Sequence, residues 1–225
     1  MAEDIFSHLK YSGMCYPAAK VVERQTVLYR DIPDDEPDAE EQVWKVAVSG
    51  NGRPVSDVRP NGWWRSFAEI NLDDEDAVTN WCRRKGDPFK PVIYQHTTTA
   101  RWPLLKTTLR QGAAFYRNNR RLKSPSTMDG DPVAISAVLK ELLQSKLMRV
   151  QYQPSVDEAN GQLIMRPMTA TLAAFLLASA AYTIHARLPM DTCAFCGDWF
   201  PIYRAGTRFC STTCRAASSL AKGGA

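Results

Sequence analysis

The sequence predicts an α+β fold in two parts: a mainly helical N-terminal domain with a few strands over residues 1–190, and a small four-cysteine module over 191–225. Three observations carry this. Helix-period apolar patterns with start and stop signals recur between residues 72 and 188, short alternating runs lie before and among them, and four of the six cysteines fall within residues 193–214. A chain of 225 residues, 44% hydrophobic and 23% charged, has the composition of a globular protein that buries its own core without disulfide staples.

Residues 26–30 (TVLYR) and 42–48 (QVWKVAV) are expected as strands; in the second, Trp44, Val46 and Val48 share an apolar face, and Val43, Lys45 and Ala47 a mixed one. Between them, residues 31–41 (DIPDDEPDAEE) are acidic and contain proline, the mark of a solvated loop. Trp63 and Trp64 read as large apolar anchors of the core or an interface. Residues 73–85 open with Asp73, Asp74, Glu75 and Asp76 and close with Arg83, Arg84 and Lys85 before Gly86. That is the charge order of a helix aligned with its own dipole and stopped by glycine. Ala77, Val78 and Trp81 form its apolar face, with Cys82 beside them as a buried thiol.

A second helix is expected over 101–122, with Pro103 in its first turn and Leu105, Leu109, Ala113 and Tyr116 at near-helical spacing. A third starts at Asp131 as N-cap, takes Pro132 at its first position and stops near Arg149. Residues 150–153 and 163–166 flank Asn160-Gly161 as a β-hairpin. The alanine-rich run 169–188 is the fourth helix. Its apolar part, 170–184, is short of the ~20 residues a membrane span needs, and its Ala and Ser suit close packing in a core.

The first ten residues, MAEDIFSHLK, have two acids before any base and no apolar run, so they read as neither an export signal nor a transit peptide, and a cytoplasmic location is expected. Thiols stay reduced there, and clustered cysteines hold metal more often than they form disulfides. Cys193 and Cys196, then Cys210 and Cys214, are two short pairs that deliver four thiolates to one tetrahedral Zn²⁺. Cys193 to Gly197 has the form of a knuckle, in which glycine lets N–H groups turn toward sulfur. Residues 198–208 are expected as a hairpin, and Ser211 as the cap of a short helix carrying Cys210 and Cys214 at its start. Spacing and compartment disfavour the alternative of disulfides or four unrelated thiols. When the metal is withdrawn, the module is expected to unfold locally while the larger domain survives.

One zinc held by four thiolates has no open position for water, so the expected role is structural and no enzymatic activity is expected. None of His8, His96 and His185 is followed two residues later by the glutamate of a zinc deaminase. His96 reads as a surface or satisfied core residue. Phosphate-loop, dinucleotide and nucleophile-elbow patterns are absent from the sequence.

The run C-x-x-C-G-x-x-F, a spacer with arginines, then R-F-C-S-x-x-C-R resembles small bacterial zinc fingers of the treble-clef or zinc-ribbon type. It is most similar to the C-terminal CGNR-type finger that follows a mostly helical region in bacterial proteins regarded as transcription regulators. The similarity covers residues 193–217 by motif and the preceding helices by layout; Arg215-Ala216-Ala217 stands where that family has Gly-Asn-Arg. The resemblance implies zinc binding by the four cysteines and regulation of transcription at DNA.

Charge points the same way. The net +4 divides into −5 over residues 1–90 (12 basic, 17 acidic) and +9 over 91–225 (16 basic, 7 acidic). Residues 94–128 contain no acid but hold Arg101, Lys106, Arg110, Arg117, Arg120, Arg121 and Lys123, interleaved with Trp102, Phe115 and Tyr116. Such a segment tracks a phosphate backbone and stacks on unpaired bases, or else pairs internally with the acidic N-terminal part. The module adds Arg204, Arg208, Arg215 and Lys222. Nucleic-acid binding, DNA ahead of RNA, is therefore expected through Arg204, Arg208, Arg215, Arg117, Arg120 and Arg121. A protein-interaction adaptor with a structural zinc is the alternative, and an enzyme with dispersed catalytic residues ranks third; no membrane or small-molecule partner is indicated.

Overall fold

The computed structural model describes residues 9–29, 39–47, 51–58, 61–89, 96–99, 101–114, 137, 140, 142–144, 150–156, 161 and 163–223. Before the cysteine module these residues form seven strands: β1 (Lys10–Cys15), β2 (Lys20–Tyr29), β3 (Ala39–Ala47), β4 (Arg53–Val58), β5 (His96–Thr98), β6 (Val150–Val156) and β7 (Leu163–Thr169). Helices α1 (Trp63–Ala68), α2 (Glu75–Arg84), α3 (Trp102–Ala114) and α4 (Leu172–His185) accompany them. The fold mixes helix and strand, and among the described residues strands are as prominent as helices. One sheet has the order β4-β1-β7-β6 and another β2-β3-β5. Strand β1 runs antiparallel to β4 and parallel to β7.

Helix α4 is the centre of the core. All its residues but Tyr182 and His185 are buried, and its run of Ala and Ser lets neighbours approach closely. Gly112 on α3 faces Ile184, whose Cδ1 would lie 3.0 Å from an added Cβ. Thr171 caps α4 by accepting from Ala174 N, and Ala173 N donates to Pro88 O at 2.7 Å. Around α4, Tyr11 stacks on Phe175 at 5.4 Å, and Phe67 packs edge-on against Trp81 at 4.8 Å. Trp64 and Trp102 are fully buried beside them.

Helix α2 forms as its charge order predicts: Asp74 accepts from the amides of Asp76 and Ala77, and Arg83 and Arg84 sit in the last turn. Gly86 ends it where a Cβ would strike Met14 O. The acidic loop is shorter than expected, because β3 already pairs with β2 at Ala39, and Leu28 and Val27 pair with Glu40 and Glu41 in the ladder. Residues 31–38 of that loop lie outside the described residues, as do 115–122 of the second helix and the Asp131 cap of the third. Of the third helix, Ala137, Lys140 and Leu142–Gln144 are helical, and Leu142 is buried in the core. The expected hairpin forms as β6 and β7, from Val150↔Thr169 to Val156↔Leu163. Among the described residues no helix is long and apolar enough to cross a membrane.

Candidate metal centre

The cysteine module begins with β8 (Met190–Thr192) and β9 (Trp199–Pro201), which pair antiparallel across the knuckle. The expected hairpin over 198–208 is therefore corrected. β9 pairs backward with β8, because Cys193 N donates to Asp198 O at 2.8 Å and closes the knuckle loop between the two strands. Gly197 N donates to Cys193 O, and the left-handed φ of +74° at Gly197 favours the residue without a Cβ. Residues 202–209 form a loop with a turn at Ala205-Gly206, and Ala194 N donates to Arg208 O at 2.9 Å, bringing the second cysteine pair to the first. Helix α5 (Thr212–Gly223) follows, with Cys214 N donating to the Ser211 hydroxyl as its cap.

The ligand atoms of Cys193, Cys196, Cys210 and Cys214 all lie within 4.8 Å of one another. Cys210 Sγ is 3.6 Å from Cys196 Sγ and 3.5 Å from Cys214 Sγ. These are too long for a disulfide and close to the ~3.8 Å edge of a tetrahedron with Zn–S bonds of about 2.3 Å. The surroundings already favour one thiolate: burial resists ionisation of Cys193, but amides of Cys196, Cys210 and Phe195 lower its pKa to about 6. Burial, with the neighbouring sulfurs, pushes Cys210 up, and burial does the same to Cys196. Four sulfurs this close ionise together only around a cation. The donor set fits a structural Zn²⁺, which when bound would cross-link the knuckle to the start of α5 and leave no position for water.

The centre is joined to the rest of the fold on two sides. Asp198 accepts from Arg84 at 2.5 Å and from Lys85 at 2.9 Å, and Lys85 Nζ also lies 3.9 Å from the centroid of the Trp63 ring. Burial draws the Lys85 pKa down, and Asp198 opposes that shift. Next in sequence, Trp199 is buried under the Arg65 guanidinium at 3.8 Å, donates from Nε1 to Glu69 at 2.8 Å, and donates from its amide to Ser66 Oγ. These contacts cross the boundary expected at residue 190. A groove of about 570 Å³ lies between the centre and α1, with Trp63, Arg84, Tyr203, Arg204 and Phe209 among its walls.

Asp198→Asn is expected to lower the unfolding free energy by about 2–3 kcal/mol in urea titrations, because Lys85 keeps a largely buried charge with its acid removed. The half-exposed Arg84 and the Trp63 contact keep this below the full cost of an orphaned ion. Asp73→Asn is the comparison: Asp73 pairs with Arg24 at 2.9 Å in water, and its loss should cost under about 1 kcal/mol. Equal effects would contradict the buried clamp.

Of the cationic residues expected at nucleic acid, Arg204, Arg208 and Arg215 are exposed around the centre, and Arg204 lines the groove. Arg117, Arg120 and Arg121 lie outside the described residues. Sequence reading missed Asp198, Arg84, Lys85 and Trp199 as supports of the site. Their charges and aromatic ring are visible in sequence, but no local pattern pairs residues more than 110 positions apart. No protein-family model, curated protein or solved structure matches the chain.

Proposed function

We propose that the protein binds one structural zinc and contacts nucleic acid, DNA ahead of RNA, through the cationic surface around it, as a transcription regulator would. One observation carries this. The only acid between Thr192 and the last residue is Asp198, and it is turned inward onto Arg84 and Lys85, so within that stretch Arg204, Arg208 and Arg215 project without a competing exposed carboxylate. The arrangement of knuckle and helix-borne cysteines supports the treble-clef reading of the module, and the closed thiolate shell supports a non-catalytic metal.

With zinc-loaded protein, nucleic-acid affinity should fall steeply with salt, and Arg208→Ala and Arg215→Ala should each flatten the log–log slope by about 1 if they touch phosphate. Filter binding or fluorescence anisotropy over a salt series checks this. Absence of binding to both DNA and RNA at low salt would move the reading to a protein-interaction adaptor. A specific observation favours that second reading: Tyr152, Val156, Leu163 and Met165 are exposed along the β6–β7 hairpin, and Leu163 keeps 75% of its surface in water.

A further inference from the structure

The module alone does not account for the positive C-terminal balance. Arg204, Arg208, Arg215 and Lys222 against Asp191, Asp198 and a four-thiolate zinc centre of formal charge about −2 leave a net of about zero. Most of the surplus lies on the acid-free stretch, which is described as far as α3. There Lys106 and Arg110, one helical turn apart, line a pocket of about 320 Å³. Ala68, Ile70 and Ala113 make its apolar part, and Glu69 and Asn71 complete its polar part at the end of α1.

The donors and acceptors of this pocket are unbalanced. Lys106 and Arg110 have no hydrogen-bond or ion-pair partner among the described residues. Glu69 is engaged, with Oε1 facing Arg65 at 3.5 Å and Oε2 accepting from Trp199 at 2.8 Å. Asn71 Oδ1 accepts from Asp73 N, which leaves its amide NH₂ as a donor, and Asp73 is held by Arg24. The pocket thus offers two cations and a neutral donor from two elements, while its carboxylate is committed elsewhere. Partial burial, with Arg110 adding to it, draws the Lys106 pKa down against the pull of Asp73. Like charges one turn apart repel until an anion sits between them.

We infer that Lys106, Arg110 and Asn71 form a pocket for the phosphate group of a phosphate ester, at the C-terminal end of α1. A guanidinium fork, a point-charge ammonium and an amide line one pocket, a donor set that suits the three oxygens of a tetrahedral oxyanion better than the two of a flat carboxylate. The ester has two sources, a nucleic-acid backbone or a small phosphorylated ligand. Only the first rests on the function proposed above.

The test uses the full, zinc-loaded chain and inorganic phosphate, with chloride at equal ionic strength as reference. Melting temperature should rise saturably, by about 3–6 °C at ten times the apparent Kd, and Lys106→Gln/Arg110→Gln should abolish that response. Phosphate strengthens burial in any protein, so the difference between wild type and variant is what counts. In chloride the variant should be as stable as wild type or more so, since a repulsive pair is gone. An equal rise in both proteins, or a rise without saturation, overturns the site. Single-stranded and duplex oligonucleotides then separate the sources. A salt slope flattened by about 2 in the variant assigns the phosphate to nucleic acid. A phosphate response lost without any change in oligonucleotide binding assigns it to a small ester, and no oligonucleotide binding by wild type defeats the nucleic-acid reading while leaving the pocket standing.

Discussion

Withdrawing the metal with a chelator, or replacing Cys196 or Cys210 with Ser, is expected to lower the melting temperature of the whole chain by about 10 °C. A structural zinc contributes its binding free energy to folding, and here the cross-link it would make holds the knuckle that joins β8 to β9. Met190 and Trp199, the first residues of those two strands, belong to the same buried cluster as Trp64, Phe67 and Ile184. Freeing the hairpin exposes Trp199, breaks its bonds to Glu69 and Ser66, and releases Asp198 from Arg84 and Lys85. Loss of a packed tryptophan costs about 3–5 kcal/mol, and in a chain of this size each kcal/mol moves the midpoint by about 2–4 °C. Calorimetry with and without chelator, alongside zinc analysis, measures both sides. A module that melts alone, as its compact cysteine spacing suggests, would leave the main transition unmoved and refute the coupling. Less than half an equivalent of zinc in wild type would refute the metal.

The metal ligands were legible because their chemistry is local: each pair of thiols is delivered by a turn or a helix start that the intervening residues define. Helices α2 and α4 were legible for the same reason, since the charge order of residues 73–85 and the unbroken apolar run 170–184 are written locally into the chain. What was not legible is long-range or interrupted. Strand β1 buries Tyr11 and Cys15 on one side, but Gly13 stands between them, because the Tyr11 ring occupies the space a Cβ would fill. Pro54 disguises β4, which is an edge strand and tolerates the missing N–H. Helix α1 has six residues, too few for a period to show, yet it and the Glu69 that ends it carry Trp64, Arg65 and Ser66 to both the core and the metal module. The residues linking module to domain are therefore those that sequence reading places last.

Gly62→Ala should be the most damaging single substitution on that link, lowering stability by about 3 kcal/mol and the melting temperature by about 6–12 °C. Gly62 lies at the start of α1, where a Cβ would fall 2.1 Å from Trp199 O, 2.3 Å from Trp199 C and 2.6 Å from Phe200 N. Carbon and its neighbours pack at about 3.5–4.0 Å, so the backbone of β9 has to retreat by more than about 1 Å, and no rotamer change relieves it. Retreat of β9 loosens the Trp199 contacts and tilts the knuckle, so zinc affinity should fall with stability even though no ligand is touched. Gly161→Ala is the matched comparison: its φ of +71° makes alanine strained, but nothing lies within 4 Å of the added Cβ. That change should cost only about 1–2 kcal/mol and leave zinc affinity as it was. Competition with a chromophoric chelator reads the affinity, and urea unfolding reads the stability. If Gly62→Ala destabilised the fold with zinc affinity unchanged, α1 and the metal centre would be neighbours without being coupled.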